Sequence, residues 1–244
     1  MSEILQLQLT LSRLGYQPGV IDGIWGPKTR AALEAAQQSS RRARGLDPVD
    51  ALAVLLSDVA KLRRGVPALT LAEVLGAFPR FGERGNPLQW LGGLNLCLQY
   101  VVADQHRAAF LIGQLAHESA GFATLEEYAS GAAYEGRADL GNLQPGDGRR
   151  YKGRGPIQTT GRANYRRVGR ALGVPAEDHP ELLATPLIGF LSAGLYWLDH
   201  GLNAIADAGD VDAITRRING GTNGRDDRIE KTRTAAAMLA RRQA

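Results

Sequence analysis

Apolar positions along the 244-residue chain recur mostly at helical spacing. Ile4, Leu7, Leu11 and Leu14 share one face, and Gly15 follows where a C-capping glycine would stand. The stretch from Tyr16 to Gly26 is rich in turn formers. Pro27 suits the first turn of a second helix, which runs through Ala36. A polar, basic break spans residues 39–47. Asp47-Pro48 then opens an apolar face of Leu52, Leu55, Leu56, Val59 and Leu62, closed by Lys61, Arg63 and Arg64 at the end a helix dipole prefers for cations. From Leu69 onward the pattern predicts helices over 71–77 (capped by Thr70), 87–102, 105–118, 161–172, 186–199, 210–218 and 226–242. Periodicity lapses over residues 121–160, where Gly, Asp, Asn and Arg dominate; a loop of that length is either disordered or functional. The reading is an all-α chain, with a small helical unit over 1–66 and a larger helical domain over 67–244.

Composition agrees. Hydrophobic residues make up 44% of the chain, enough for a packed core, and aromatics only 6%, which favours helices over a β-sandwich. The formal charge of +4 is mild. A basic surface is drawn to polyanions, but no Lys/Arg run interleaved with aromatics points to nucleic acid. No stretch of about 18 apolar residues predicts a membrane span. The opening Met-Ser-Glu-Ile lacks the basic and apolar regions of a signal peptide. Cys97 is the single cysteine, so no intrachain disulfide can form; its apolar surroundings predict a small buried hydrophobe.

The sharpest chemical feature is Ala116-His117-Glu118-Ser119-Ala120-Gly121-Phe122, an acid at the end of an apolar helix, where a general acid could be housed. A zinc motif would need a second His three residues after the Glu, and Gly121 stands there, so no metal and no cofactor is expected. Glu127 follows nine residues later. On one helix that spacing turns a side chain by about 180°, so the two acids converge only if the chain breaks at Gly121. Glu126 competes directly with Glu127 as the second acid. Gly153-Arg154-Gly155-Pro156 lets backbone approach a ligand; Gln158 and Thr160 could bond sugar hydroxyls or hold a water, and Thr160 could equally cap the next helix. Asn219-Gly220-Gly221 suggests a second close approach or a plain loop.

Over residues 68–240 these motifs resemble the family 19 glycoside hydrolases, the plant-type chitinases and their endolysin relatives. The resemblance rests on His117-Glu118-Ser119 with Glu127, on Gly153-Arg154-Gly155-Pro156-Ile157-Gln158, on Asn164-Tyr165 and on Ile218-Asn219-Gly220-Gly221. It implies a lysozyme-like helical fold and an inverting mechanism, in which two carboxyl groups about 6.5–9.5 Å apart flank a water. Glu118 would then be the general acid and Glu127 the general base. Thr160, where the family usually has Ser, would help hold the water. Gln158, Tyr165, Asn219 and His117 would contact substrate, and Arg228 would orient a carboxylate. The cysteines of the plant enzymes are missing, and the segment from Ala129 to Arg137 resembles the bacterial and phage branch, which implies Glu135 as a rival to Glu127 for the base. Near the N-terminus, Leu14-Gly15-Tyr16, Gly19, Ile21-Asp22-Gly23, Trp25-Gly26-Pro27 and Thr29 resemble the peptidoglycan-binding type 1 domain. That implies wall contacts at Tyr16, Asp22 and Trp25, although Asp22 and the glycines could simply build a turn. Together the two resemblances imply a monomeric endolysin that cleaves the β-1,4 bond between N-acetylmuramic acid and N-acetylglucosamine in bacterial peptidoglycan. It would wait in the host cytoplasm for a holin and then act in the periplasm. A chitinase, a lytic transglycosylase and a non-catalytic wall binder are the alternatives.

Overall fold

The computed structural model describes residues 25–39, 66, 68–102 and 104–241, together with Ile4, Leu7, Gln8, Leu11, Tyr16 and Pro18. The expected helix over 47–62, the basic break before it, the Gly15 cap and Asp22 lie outside the described residues. The described helices are α1 (Pro27–Ser39), α2 (Leu71–Ala77), α3 (Pro87–Val101), α4 (Gln105–Glu118), α5 (Arg162–Leu172), α6 (Pro186–Asp199), α7 (Leu202–Asp207), α8 (Val211–Asn219) and α9 (Arg225–Ala240). Short 3-10 turns and the single helical turn Asp147–Arg150 punctuate the long loop after α4. Helix α7 has no counterpart in the apolar pattern, because its six residues are too few for a period to show.

Helix starts follow the chemistry of their first turns. Thr70 and Glu73 form a reciprocal capping box on α2, Thr70 Oγ1 accepting from Glu73 N and Glu73 Oε2 accepting from Thr70 N. Asn86, Asp104 and Asp210 cap α3, α4 and α8 through side-chain oxygens. Thr160 does not cap α5. Gly161 takes that position, and the Thr160 hydroxyl donates instead to Gln158 O at 2.8 Å.

Two helices form the centre of the larger domain. Residues 108–116 of α4 are all buried, as are residues 187–194 of α6, so both are enclosed rather than amphipathic at the surface. Helix α4 packs along α9, and α3 along α6. The α4–α9 approach is close because of Gly113: a Cβ there would lie 2.6 Å from the Thr232 Cα. Phe122 is fully buried where the chain leaves α4, edge-on to Phe78 and Phe81 with ring centroids 5.4 Å away in each case. Burying that ring contributes roughly 1.5–3 kcal/mol. Cys97 is buried between α3 and α6, and desolvation pushes its thiol up to about 12.

The long loop is stapled by Arg162. Its guanidinium donates to both carboxylate oxygens of Asp147 at 2.9 and 2.6 Å, and to Glu177 at 3.2 Å; Asn142 Oδ1 accepts from the Arg162 amide. Residues 121–160 are therefore ordered by charge-assisted bonds rather than by apolar periodicity. In the N-terminal unit, Leu7 and Leu11 are buried, as are Ala32, Leu33 and Ala36 of α1. Gln8 Nε2 donates to Thr29 Oγ1, which donates to Pro18 O, both at 3.0 Å. Tyr16 and Trp25 are partly buried against apolar neighbours, so each supports the unit whatever its free edge touches.

Gly113→Ala should lower the free energy of unfolding by about 1–3 kcal/mol, because backbone on α9 cannot give way. A urea titration reads this as a lower midpoint. Arg166 first, and then Arg162, hold the Glu177 carboxyl at about 2, below its ordinary 4.5. Its ionised form therefore stabilises the fold fully above pH 4.5, and that contribution is lost as pH falls toward 2. The urea midpoint should fall across this window, with a shallower slope for Glu177→Gln.

Candidate active site

Glu118 is the last residue of α4. Its Oε1 accepts a hydrogen bond from Arg228 Nη2 at 2.5 Å. The Arg228 side chain is only 2% exposed and that of Glu118 is 18% exposed, so the pair sits at the wall of the protein with the arginine on the inside. Arg228 spends its other donors on Gln114 Oε1 at 2.7 Å and on Asn223 O at 3.2 Å. The apolar setting expected for Glu118 is thus only half the picture: the helix is apolar, but a buried cation from α9 anchors the carboxyl. Arg228 stands where the motif put a carboxylate-orienting residue, and Glu118 is the carboxylate it holds.

The chain then breaks sharply. Ala120, Gly121 and Phe122 have φ values of +54°, +76° and +62°, three consecutive left-handed residues. Such a run is costly outside glycine and is compensated here by specific bonds. Gly121 N reaches back to Ala116 O at 2.6 Å, Ser119 Oγ accepts from Phe122 N, and Gly82 N donates to Phe122 O. After this reversal, residues 125–127 run extended beside 153–155. Glu127 N donates to Gly153 O at 2.9 Å, and Gly155 N to Leu125 O at 2.8 Å. Arg154 pairs on its other edge with Thr159, closing a small pleat around the turn at Pro156. The second acid therefore rides on a different element from the first, which is what nine residues of helix could not provide.

Three acids competed for the second role, and the structure gives each a different setting. Glu126 is neutralised by Arg154 at 3.0 Å and Lys152 at 3.3 Å. Glu135 accepts from the amides of Gly146 and Gly148 at 2.6 and 2.8 Å, stapling the loop. Among the described residues, no cationic side chain is bonded to the Glu127 carboxylate. Tyr134 donates to Oε1 and Gly153 N–H to Oε2, both at 3.0 Å, leaving a lone pair on each oxygen. Burial, and then the bond to Glu127, push the Tyr134 phenol above its ordinary value.

A pocket of about 270 Å³ opens beside Ile157 and Gln158, at the end of the Gly153–Gln158 turn. Its walls include Gln158, Thr160, Asn164, Tyr196, His200 and Ile218. Burial, and then the negative charge of Glu118, raise the phenol of Tyr196 above its ordinary value. Gln158 Oε1 and Glu127 Oε2 crowd the same face of Gly153. Gln158 is held in the left-handed region at φ +57°, with Nε2 donating to Gly155 O, so Oε1 is kept for another partner.

Other residues expected at the substrate are placed elsewhere. Tyr165 is fully buried; its hydroxyl donates to Lys152 O at 2.6 Å and accepts from Arg154 Nη1 at 3.0 Å. It supports the pleat and has no free surface for a sugar. His117 Nδ1 meets Asp227 at 2.5 Å, and Gly224 lies flat on the ring, where a Cβ would come within 2.4 Å of Nε2. The imidazole is tied to the α4–α9 seam through Nδ1, with 23% of the side chain exposed. Asn219 is exposed beside Ile218, but its amide closes its own loop, accepting from Gly221 N and donating to Asn223 O. Sequence reasoning missed Tyr134, Lys152 and Tyr196. A tyrosine in a stretch of small and polar residues was the available signal for Tyr134; nothing in the order of residues ties Tyr196 to Glu118. Among the described residues no cluster of His, Cys, Asp and Glu could hold a metal.

Comparison with known proteins bears on the same segments. Residues 1–43 match a family model described as a putative peptidoglycan binding domain. A Haemophilus influenzae protein described as containing a glycosyl hydrolase family 19 domain is 39% identical over 105 residues, 43% of this chain and 50% of that protein. The acidic endochitinase Q of Nicotiana tabacum is 28% identical over 181 residues, 63% of this chain and 62% of the enzyme. An endochitinase of Arabidopsis thaliana is 39% identical over 121 residues but matched over only 41% of its length, so the chain spans about half or less of its first curated relatives. In fold, the chain is similar to chitinase C from Streptomyces griseus, with a TM-score of 0.59 at 22% identity, over 73% of this chain and 95% of that one. A second family model, described as class I chitinase, matches residues 99–229, more than half of the chain, and it spans Glu118, Glu127, the Gly153–Gln158 turn and Arg228. The chain belongs to the family 19 glycoside hydrolases.

Proposed function

We propose that this protein hydrolyses the β-1,4 bond between N-acetylmuramic acid and N-acetylglucosamine in peptidoglycan, with Glu118 as acid and Glu127 as base. The observation that carries the reading is that the two carboxylates stand on separate elements, Glu118 at the end of α4 and anchored by a buried arginine, Glu127 on the extended segment after the reversal and held by neutral donors. Arg228 orients Glu118 through Oε1 and leaves Oε2 to carry the proton to the glycosidic oxygen. Glu127 removes a proton from water as that water attacks the anomeric carbon from the opposite face. The leaving oxygen departs with the proton of Glu118, and the product has inverted configuration. The Thr160 hydroxyl donates to Gln158 O, so its lone pairs are available to accept from that water. The match to a wall-binding domain over residues 1–43 supports peptidoglycan as the target. An endolysin released to the wall by a holin and working as a monomer fits this reading.

A second reading is a chitinase acting on N-acetylglucosamine polymers; it is favoured by relatives that are themselves described as endochitinases. Purified sacculi and chitin should be digested in parallel and the new reducing ends identified. N-acetylmuramic acid ends from sacculi support the first reading; sugars released from chitin alone would sink it. Loss of turbidity of permeabilised Gram-negative cells should slow by about 10²–10⁴-fold in both Glu118→Gln and Glu127→Gln. Retained clearing by Glu127→Gln with anhydro-muramyl products would instead show a lytic transglycosylase, which needs no base.

A further inference from the structure

The cations around the two acids are mostly consumed. Lys152 and Arg154 pair with Glu126, Arg228 with Glu118, and Arg80 with Glu83. Arg84 is different. It is exposed, it has no ion-pair partner among the described residues, and its guanidinium lies 4.8 Å from the centroid of the Tyr128 ring. Tyr128 follows Glu127 directly and is 65% exposed, unusual for a large ring. Arg84, Tyr128, Glu126 and Glu127 share the wall of a hollow of about 300 Å³, floored by Trp90 and Leu125. The hollow is built rather than accidental. The loop carrying Arg84 is tied to the reversal after α4 through Gly82 N and Phe122 O at 3.0 Å, and Arg80 Nη1 reaches Ala120 O.

A guanidinium stacked on a ring keeps its in-plane N–H groups free, and these match a carboxylate bidentately. Chitin carries no carboxylate. Wall glycan carries them on one side only: along the peptide stem amide-linked to the lactyl group of N-acetylmuramic acid or, where no stem is attached, on the lactyl group itself. We infer that Arg84 and Tyr128 form a subsite beside the base that reads this substituent, Tyr128 giving an apolar face and Arg84 taking a carboxylate of the lactyl group or stem peptide. This rests on the reading of wall glycan as substrate. It makes Arg84 a specificity residue, outside the proton transfers.

The test uses the full chain carrying Glu118→Gln, which binds without turnover and keeps an oxygen for Arg228. Calorimetry would compare three ligands: a tetrasaccharide of wall glycan with its peptides, the same glycan stripped of peptide by an amidase (which leaves the lactyl carboxylate), and the N-acetylglucosamine tetramer. Adding Arg84→Gln should weaken peptide-bearing glycan by roughly five- to tenfold more than the tetramer. The difference should collapse at about 0.5 M salt, where exposed charges are screened. Excess weakening on the peptide-bearing glycan, whose lactyl carboxyl is tied up as an amide, assigns a stem-peptide carboxylate; excess weakening on the stripped glycan alone assigns the lactyl carboxylate that the amidase frees. Arg84→Lys should recover only part of the affinity, because an ammonium cannot bond bidentately. Tyr128→Ala should weaken all three ligands. Equal weakening of wall glycan and tetramer by Arg84→Gln, or none on either, overturns the inference while leaving the wall reading intact. If the protein with native Arg84 binds the tetramer but neither wall glycan, the wall reading falls and takes this inference with it.

Discussion

The bond between Arg228 and Glu118 joins residues 110 positions apart and closes the seam between α4 and α9. A guanidinium with 2% of its side chain exposed is tolerated only when its donors are met, and here they are met by one carboxylate, one amide oxygen and one backbone carbonyl. Each partner comes from a different feature. Glu118 and Gln114 lie on one turn of α4, and Asn223 lies in the loop before α9. The orientation of the proposed acid is therefore an output of how the last helix docks. Gly113 allows that docking to be close, and Gly224 lets the loop lie on His117. Asn219, which closes the same loop through Asn223 O, acts on Glu118 indirectly by fixing the carbonyl that Arg228 needs.

The opposite wall is built by different physics. Residues 119–162 bury few apolar side chains and would not fold as a helix or a sheet by pattern alone. They are held by left-handed backbone at Ala120, Gly121 and Phe122, by the Arg162–Asp147 pair and by Glu135 on two amides. A loop organised in this way can present Glu127 with neutral donors on both oxygens and no competing cation on its carboxylate. Glu126, one residue away and on the wall of the same hollow, is paired with Arg154 and Lys152.

Helix positions were legible because burial enforces a 3.6-residue period and capping needs particular side chains: α2, α4 and α6 span the residues 71–77, 105–118 and 186–199 that the pattern predicts, with Thr70 capping α2 as expected. The break at Gly121 was legible too, from the phase conflict between positions 118 and 127. The settings of Tyr165 and His117 were not, since a polar residue inside a motif looks the same whether it bonds a sugar or the protein's own backbone. Tyr134 and Tyr196 reach the acids across distances in sequence that no local pattern spans.

The order of residues alone determined the helical class and the kinship to family 19, because these depend on periodicity, turn chemistry and motif spacing. Only the tertiary structure decided which acid is free, what anchors the other and which cation is left unpaired beside them. Those outcomes turn on which donors meet which acceptors after helices and loops pack, and hydrogen bonds between distant residues leave no trace in the spacing of either partner.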